Sequence, residues 1–564
     1  MKAILGLAAT VLASLALAGC AAPATHDVII RGGTVYDGTG TAPVVTDIAI
    51  DGDAITAVGD LAGVRGHLEV DAAGLAVAPG FINMLSWAPF SLMHDGRGQS
   101  DIRQGVTLEV FGEGWSMGPV NDDIKRTLER FQTDFRFDIT WKTLGEYLDR
   151  VVERGVSPNV ASYVGATTVR IHVLGFEDRP PTPDELETMR GLVREAMEEG
   201  AVGVGSSLIY APAFFADTGE LVELARVAAE YGGGYISHLR SEGNRLVEAV
   251  DELITIASEA GVRAEIYHLK AAGRLNWDKL DDVVTRVEAA RARGVEVTAD
   301  IYTYTAGATG LDAAMPPWVQ EGGFEAWAQR LRDTEIRNRV KREMLTPTDD
   351  WENLFLAAGP EGMLFSGFRN EALRPLIGRT LAEVAAERGT SPADTIMNLV
   401  VEDGSRVETL YFLMSEDNVR KKIALPWVSF GSDAAAMAPE GLFLNENPHP
   451  RTYGNFARLL GRYVRDEGII PLEEAIRRLT SLPAANLGLR DRGELRPGYF
   501  ADVAVFDPES IADLATYESA QQYATGMVHV FVNGIQVLRD GEHTGALPGR
   551  VVRGPGWTGW TAEP

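Results

Sequence analysis

Cysteine is nearly missing. The 564 residues hold a single one, Cys20, so an internal disulfide framework is excluded. Basic charge is also short: 52 Lys and Arg stand against 80 Asp and Glu, a formal net charge of -28. A chain so acidic lacks the basic face that phosphate binding needs, which argues against nucleic acid as a partner. After the first twenty residues no apolar run is long enough to span a membrane. There is no low-complexity segment and no repeat beyond alternating strand and helix patterns. What is present is an ordinary globular composition, 45% hydrophobic, over a length that calls for two or three domains.

The start of the chain has its own logic. Met1-Lys2 is followed by an apolar, Ala-rich run from Ala3 to Ala18, the size of a signal-peptide core. It ends in Leu17-Ala18-Gly19-Cys20, which resembles the lipobox of bacterial lipoproteins. The resemblance implies cleavage after residue 19, lipidation of Cys20 and anchorage in a bacterial cell envelope, on the periplasmic side or at the outer membrane. The other reading is an ordinary signal peptide with a chance cysteine.

Both ends then read as β structure. Asp27 to Gly38 predicts strand, glycine turn, strand, and Asp51-Gly52 predicts a hairpin within Thr46–Gly59. Ala501–Pro508 predicts a strand, and Asn533-Gly534 a second hairpin within Val528–Val537. Residues 20–78 and 487–564 are therefore expected to form one small β-sandwich domain. Between them, short apolar strands alternate with helical runs. Eight candidate strands, starting at Leu75, Val106, Asn159, Ala201, Gly232, Val262, Glu296 and Pro426, point to an α/β fold, a (β/α)8 TIM-like barrel over 79–486. The stretch of about 308–424 is too long for a loop and is expected to be a helical insertion.

The chemistry centres on two of these strands. One ends Tyr235-Ile236-Ser237-His238 and the next ends Glu265-Ile266-Tyr267-His268, so two imidazoles meet at the carboxyl ends of adjacent strands. That face of a barrel is where active sites are built. A hydrolytic zinc site needs about three protein ligands and an open position. Glu113, flanked by Gly112 and Gly114 after the second strand, is the third candidate ligand, the other reading being a capping or surface carboxylate. Asp433, at the end of the eighth strand, is placed to move the proton between the attacking water and a leaving amine, the other reading being a helix N-cap.

With these residues the chain resembles the amidohydrolase superfamily, and most of all its D-aminoacylase branch. The matching segments include Ala78–Ile82, Ser207–Pro212, Ile236–Glu242, Tyr302–Ala306, His449-Pro450-Arg451 and Gly493–Gly498, spread over nearly the whole chain. The resemblance implies the barrel, the composite β-domain and one zinc per chain bound by Glu113, His238 and His268. It also implies that Lys270, Tyr302 and Arg451 contact the carboxylate of an N-acyl amino acid; Arg451 can hold one bidentately. Solvated loop charges, and a packed strand end for Tyr302, are the other readings. The chain departs from the family where His-x-His is usual, with Leu85 and Trp87 there instead. It has Glu113 where the branch carries Cys, and Ala166 where a His is frequent. His94, His172 and His449 read as structural. The expected activity is deacylation of N-acyl-D-amino acids or small D-amino-acid peptides. A cyclic-amide or dipeptide hydrolase, and a degenerate barrel that only binds a ligand, are the alternatives.

Overall fold

The computed structural model describes residues 25–560 except Thr133. The expected signal peptide and lipidation site at Cys20, with the residues up to 24, lie outside the described residues. No helix among those described is long and apolar enough to cross a membrane.

The protein is a mixed α/β structure. Its centre is two runs of parallel strands close to the expected places, except that the expected first strand is split: Ala76–Pro79 pairs in the sheet of the chain ends and only Phe81–Asn83 joins the parallel run. Phe81–Asn83, Val106–Phe111 and Asn159–Ser162 pair in one sheet. Val164–Gly165, Gly203–Ser207, Gly234–His238, Arg263–Ile266, Val297–Ile301 and Val428–Phe430 pair in another. Tyr163 links the two in sequence. At the other edge, Met84 N–H donates to the Phe430 carbonyl at 3.4 Å and Ser86 bridges Ala434 in parallel. The central strands are buried almost throughout, with apolar residues alternating with buried polar ones such as Glu109, Glu265 and Asp300. The run Leu246–Ala260 shows how a helix between two of them is specified: Leu246, Ala249, Val250, Leu253, Ile254 and Ala257 recur at helical spacing and are buried, and Gly261 ends it in the left-handed region.

Both chain ends enter a nine-stranded sheet around one core that includes Ile30, Ile48, Ile50, Val503, Val505 and Phe531. Both hairpins are present; the second turns at Asn533-Gly534 with both residues at positive φ, while the first turns one residue past the expected pair, at Gly52-Asp53, with Asp51 paired to Ala54. Gly32-Gly33 is not a turn. Thr25–Val35 runs as one strand with a register shift between Ile30 and Gly33. Gly32 takes φ +63°, and its N–H donates to Asp47 at 2.8 Å, which stabilises a bulge in place of a reversal.

The insertion is not purely helical. It carries helices such as Thr334–Met344 and Pro392–Asp403, but also an antiparallel sheet of Ala306–Gly310, Glu408–Phe412 and Met363–Gly367. It has its own apolar core, with Trp327, Phe365, Ile396 and Tyr411, and that core reaches down to Tyr302 and Tyr304 at the carboxyl end of the parallel strands.

Candidate metal centre

The parallel register places Ser237 beside Ile266, so the chain emerges from two neighbouring strands with His238 and His268 side by side. Their rings are 4.6 Å apart and nearly perpendicular. Glu113 reaches them because glycines flank it. Gly112 takes φ +107° and Gly114 φ +69°, and a Cβ on Gly114 would lie 2.5 Å from the Ser207 Cβ. Glu113 Oε1 stands 3.0 Å from both His238 Nδ1 and His268 Nε2. The three ligand atoms lie within 4.8 Å of one another, all on buried residues.

Two imidazole nitrogens and a carboxylate oxygen are the donor set that zinc takes. The outer faces of the rings fit the same reading. Glu242 Oε1 is 3.1 Å from His268 Nδ1, and Glu242 Oε2 is 3.5 Å from His238 Nε2, a nitrogen with no hydrogen-bond partner. A carboxylate behind ligating histidines fixes their tautomer and orientation. Burial would raise the Glu113 and Glu242 carboxyls. The His238 and His268 charges, with Lys270 for Glu242, outweigh it and hold both well below the usual carboxylate range. Without a metal, burial and Lys270 press the His268 pKa down. The Glu242 and Glu113 charges prevail, and it is pushed up to about 10. The pocket is thus built to surround positive charge.

Asp433 faces this group from the end of Val428–Phe430. It has φ +49°, a strained value for a non-glycine residue, and its N–H donates to the Leu85 carbonyl at 2.9 Å. Oδ1 accepts the Trp87 indole N–H at 3.1 Å. Oδ2 lies 2.7 Å from Arg451 Nη1. Burial raises the Asp433 pKa against the pull of Arg451. Arg451 lies 4.4 Å over the Tyr302 ring, and Lys270 Nζ lies 5.7 Å from the same ring. Lys270 also touches Glu242 at 2.7 Å and His268 Nδ1 at 2.5 Å. The seven residues singled out from the sequence are therefore neighbours. None is a surface charge: Lys270 and Arg451 are as buried as the histidines.

The likeness of the chain to known proteins extends over nearly its whole length. A family model described as the amidohydrolase family matches residues 68–538. The chain belongs to the amidohydrolase family. It is 35% identical over 533 residues to a D-aminoacylase of Alcaligenes xylosoxydans xylosoxydans, covering 93% of this chain and 97% of that one. Among solved structures, a D-aminoacylase described as having a binuclear metal center, with one-metal activation and second-metal attenuation, superposes with a TM-score of 0.78. It is 34% identical, over 94% of this chain and 100% of that one. The N-acyl-D-glutamate deacylase of Bordetella bronchiseptica, complexed with zinc and a phosphonate that mimics the tetrahedral intermediate, also scores 0.78, at 29% identity over the same shares. These likenesses place the chain in the D-aminoacylase branch of the family.

Within this amidohydrolase, Leu85 is buried in an apolar cluster with Ile82, Val110 and Tyr267 and offers no ligand. Trp87 donates its indole N–H to Glu113 Oε2 at 2.9 Å as well as to Asp433. Ala166 begins the helix Ala166–Leu174. His94 stacks on Phe135, and the His172 carbonyl accepts the Asn121 amide. His449 has a larger part than its sequence suggested: Nε2 pairs with the Ala306 carbonyl and Nδ1 accepts the Arg451 N–H, which sets Arg451 in place. Glu242 and Trp87 were not singled out as site residues. The signal for Glu242 was its place four residues after His238. A cavity of about 630 Å³, lined by Trp115, Phe131, Tyr210, Phe324 and Arg406, adjoins the centre through Tyr210, whose ring is 5.3 Å from that of His238.

Proposed function

We propose that this protein is a metal-dependent amide hydrolase that deacylates N-acyl-D-amino acids, with one zinc ion held by Glu113, His238 and His268. The observation that carries the reading is the convergence of those three ligand atoms with Asp433 facing them. Similarity to a D-aminoacylase and to a deacylase complexed with zinc supports both substrate and metal. When bound, zinc supplies Lewis acidity, polarising the scissile carbonyl and acidifying water.

The chain's own residues do the rest. Asp433, held between Trp87 and Arg451, takes the proton of the attacking water and returns it to the departing amine. Glu242 holds the His268 imidazole turned inward and stands 3.5 Å from His238 Nε2. Arg451, Tyr302 and Lys270 form the corner that receives the substrate carboxylate. The cavity beyond Tyr210, lined by aromatic and charged side chains alike, gives room to a bulky substituent.

The parallel strands are read as a closed (β/α)8 barrel over 79–486, with 20–78 and 487–564 as a β-sandwich domain and about 308–424 as the insertion. Lipidation at Cys20 would anchor the enzyme in the cell envelope; a membrane-fraction assay of Cys20→Ala tests that part.

The activity is tested on protein starting after residue 19. Wild type should hold about one zinc per chain and release amine from N-acyl-D-amino acids in preference to the L-forms. His238→Ala should lose metal and turnover together. A zinc-loaded wild type inert on every N-acyl-D-amino acid would sink the reading.

A further inference from the structure

Glu113 and Asp433 each turn one oxygen away from the cations around them. Glu113 Oε1 faces the histidines and Asp433 Oδ2 faces Arg451. The remaining oxygens, Glu113 Oε2 and Asp433 Oδ1, share one donor, the indole N–H of Trp87, at 2.9 and 3.1 Å. Two carboxylates converging on a point make a place for a cation. Here that point holds a neutral side chain that donates and cannot ligate.

We infer that Trp87 stands permanently in the place of a second metal ion, and that it is a positioning residue for Asp433. This rests on the one-zinc deacylase reading above. The stretch of chain that carries the indole is held in place. Its backbone N–H donates to the Ala434 carbonyl at 2.9 Å, Ser86 bridges Ala434, and the Asp433 N–H donates to Leu85. At Gly431, a Cβ would lie 2.8 Å from the Leu85 Cβ, so the chain segments carrying Trp87 and Asp433 are packed as one piece. Leu85, the other residue facing this loop, is wholly buried among apolar side chains and supplies no ligand. Trp87 keeps 38% of its surface open while the residues it touches are buried, so the ring also forms the exposed wall of the site. A relative is described with a binuclear center and attenuation by the second metal. This chain is built so that neither the second ion nor its attenuation arises.

The test counts ions. Metal-free protein is exposed to excess zinc, desalted and analysed for bound metal, with tryptophan fluorescence followed in parallel. Wild type should stop at about one ion and keep full activity in excess zinc. The double variant Leu85→His, Trp87→His should take up a second. Trp87→Phe keeps an aromatic ring and loses the donor. Its kcat should fall about 10- to 100-fold, with KM and zinc content unchanged. A wild type that retains two ions would overturn the inference, as would a histidine pair that leaves the count at one. So would a Trp87→Phe enzyme with wild-type kcat. The count does not depend on which amide is cleaved, so failure of the substrate assignment would be told apart from failure of this one.

Discussion

Asp433 is fixed on three sides, by the Leu85 carbonyl, the Trp87 indole and Arg451, and its pKa is raised by burial. Asn keeps the shape and loses the proton-accepting oxygen. Asp433→Asn should therefore lower kcat by about 10²- to 10⁴-fold with zinc content unchanged, read by steady-state kinetics beside metal analysis. Glu242 acts at one remove. Its carboxylate spans the outer nitrogens of both histidines and Lys270. Glu242→Gln should weaken zinc binding by about 10- to 100-fold, measured by competition with a chelator, and unchanged affinity would rule the role out. His238, His268, Glu113 and Asp433 were legible because each ends a strand or follows a glycine-rich turn, and strand ends are marked by local pattern. The partners of Arg451 and Trp87 were not legible. Trp87 joins Asp433 across 346 positions, and even Arg451 meets Asp433 only through the folding of the loop between them, so no local pattern encodes these contacts.

Among the elements, the two hairpins carry the clearest signals, since Asp-Gly and Asn-Gly favour the positive φ that tight turns demand. In the structure they also touch. A Cβ on Gly534 would run into the Gly52 carbonyl, so the turns from opposite ends of the chain pack against each other. Gly534→Ala, at φ +78°, should cost about 1–3 kcal/mol, visible as a lower melting temperature with zinc content intact. A melting temperature equal to wild type would mean the two turns separate freely. The insertion was read as helical although Glu408–Phe412 carries β-forming residues, because its pairing strand is nearly silent in sequence. Ala306-Gly307-Ala308-Thr309-Gly310 has no alternation and a single β-branched residue, Thr309, and it becomes a strand by pairing with Glu408–Phe412, far along the chain. Gly32-Gly33 misled in the opposite sense. The glycines permit a turn, but pairing on both sides keeps the strand straight through a bulge.

At the scale of the whole molecule, the interior holds acidic groups with no cation beside them. Burial pushes Glu109, next to Asp101, and Glu265, next to Asp300, up to about 7. In the unfolded chain a Glu titrates near 4.3, so between that value and about 7 the folded state binds more protons. Stability from these groups is full below the unfolded pKa and is lost as pH rises through the folded one. The growing self-repulsion of a chain with net charge -28 acts in the same direction. The melting temperature should thus fall as pH goes from about 5 to about 8, and Glu265→Gln should flatten that fall; a melting temperature that climbs over this range would contradict it. Sequence alone determined the strand-and-helix alternation, the two terminal hairpins and which side chains end the strands, because these follow from local periodicity and backbone preference. The tertiary structure decided that Glu242 backs both histidines, that Arg451 pairs with Asp433, and that an indole bridges Glu113 and Asp433. Those contacts depend on how strand ends converge in space, and convergence is a property of the closed packing of the chain rather than of any segment within it.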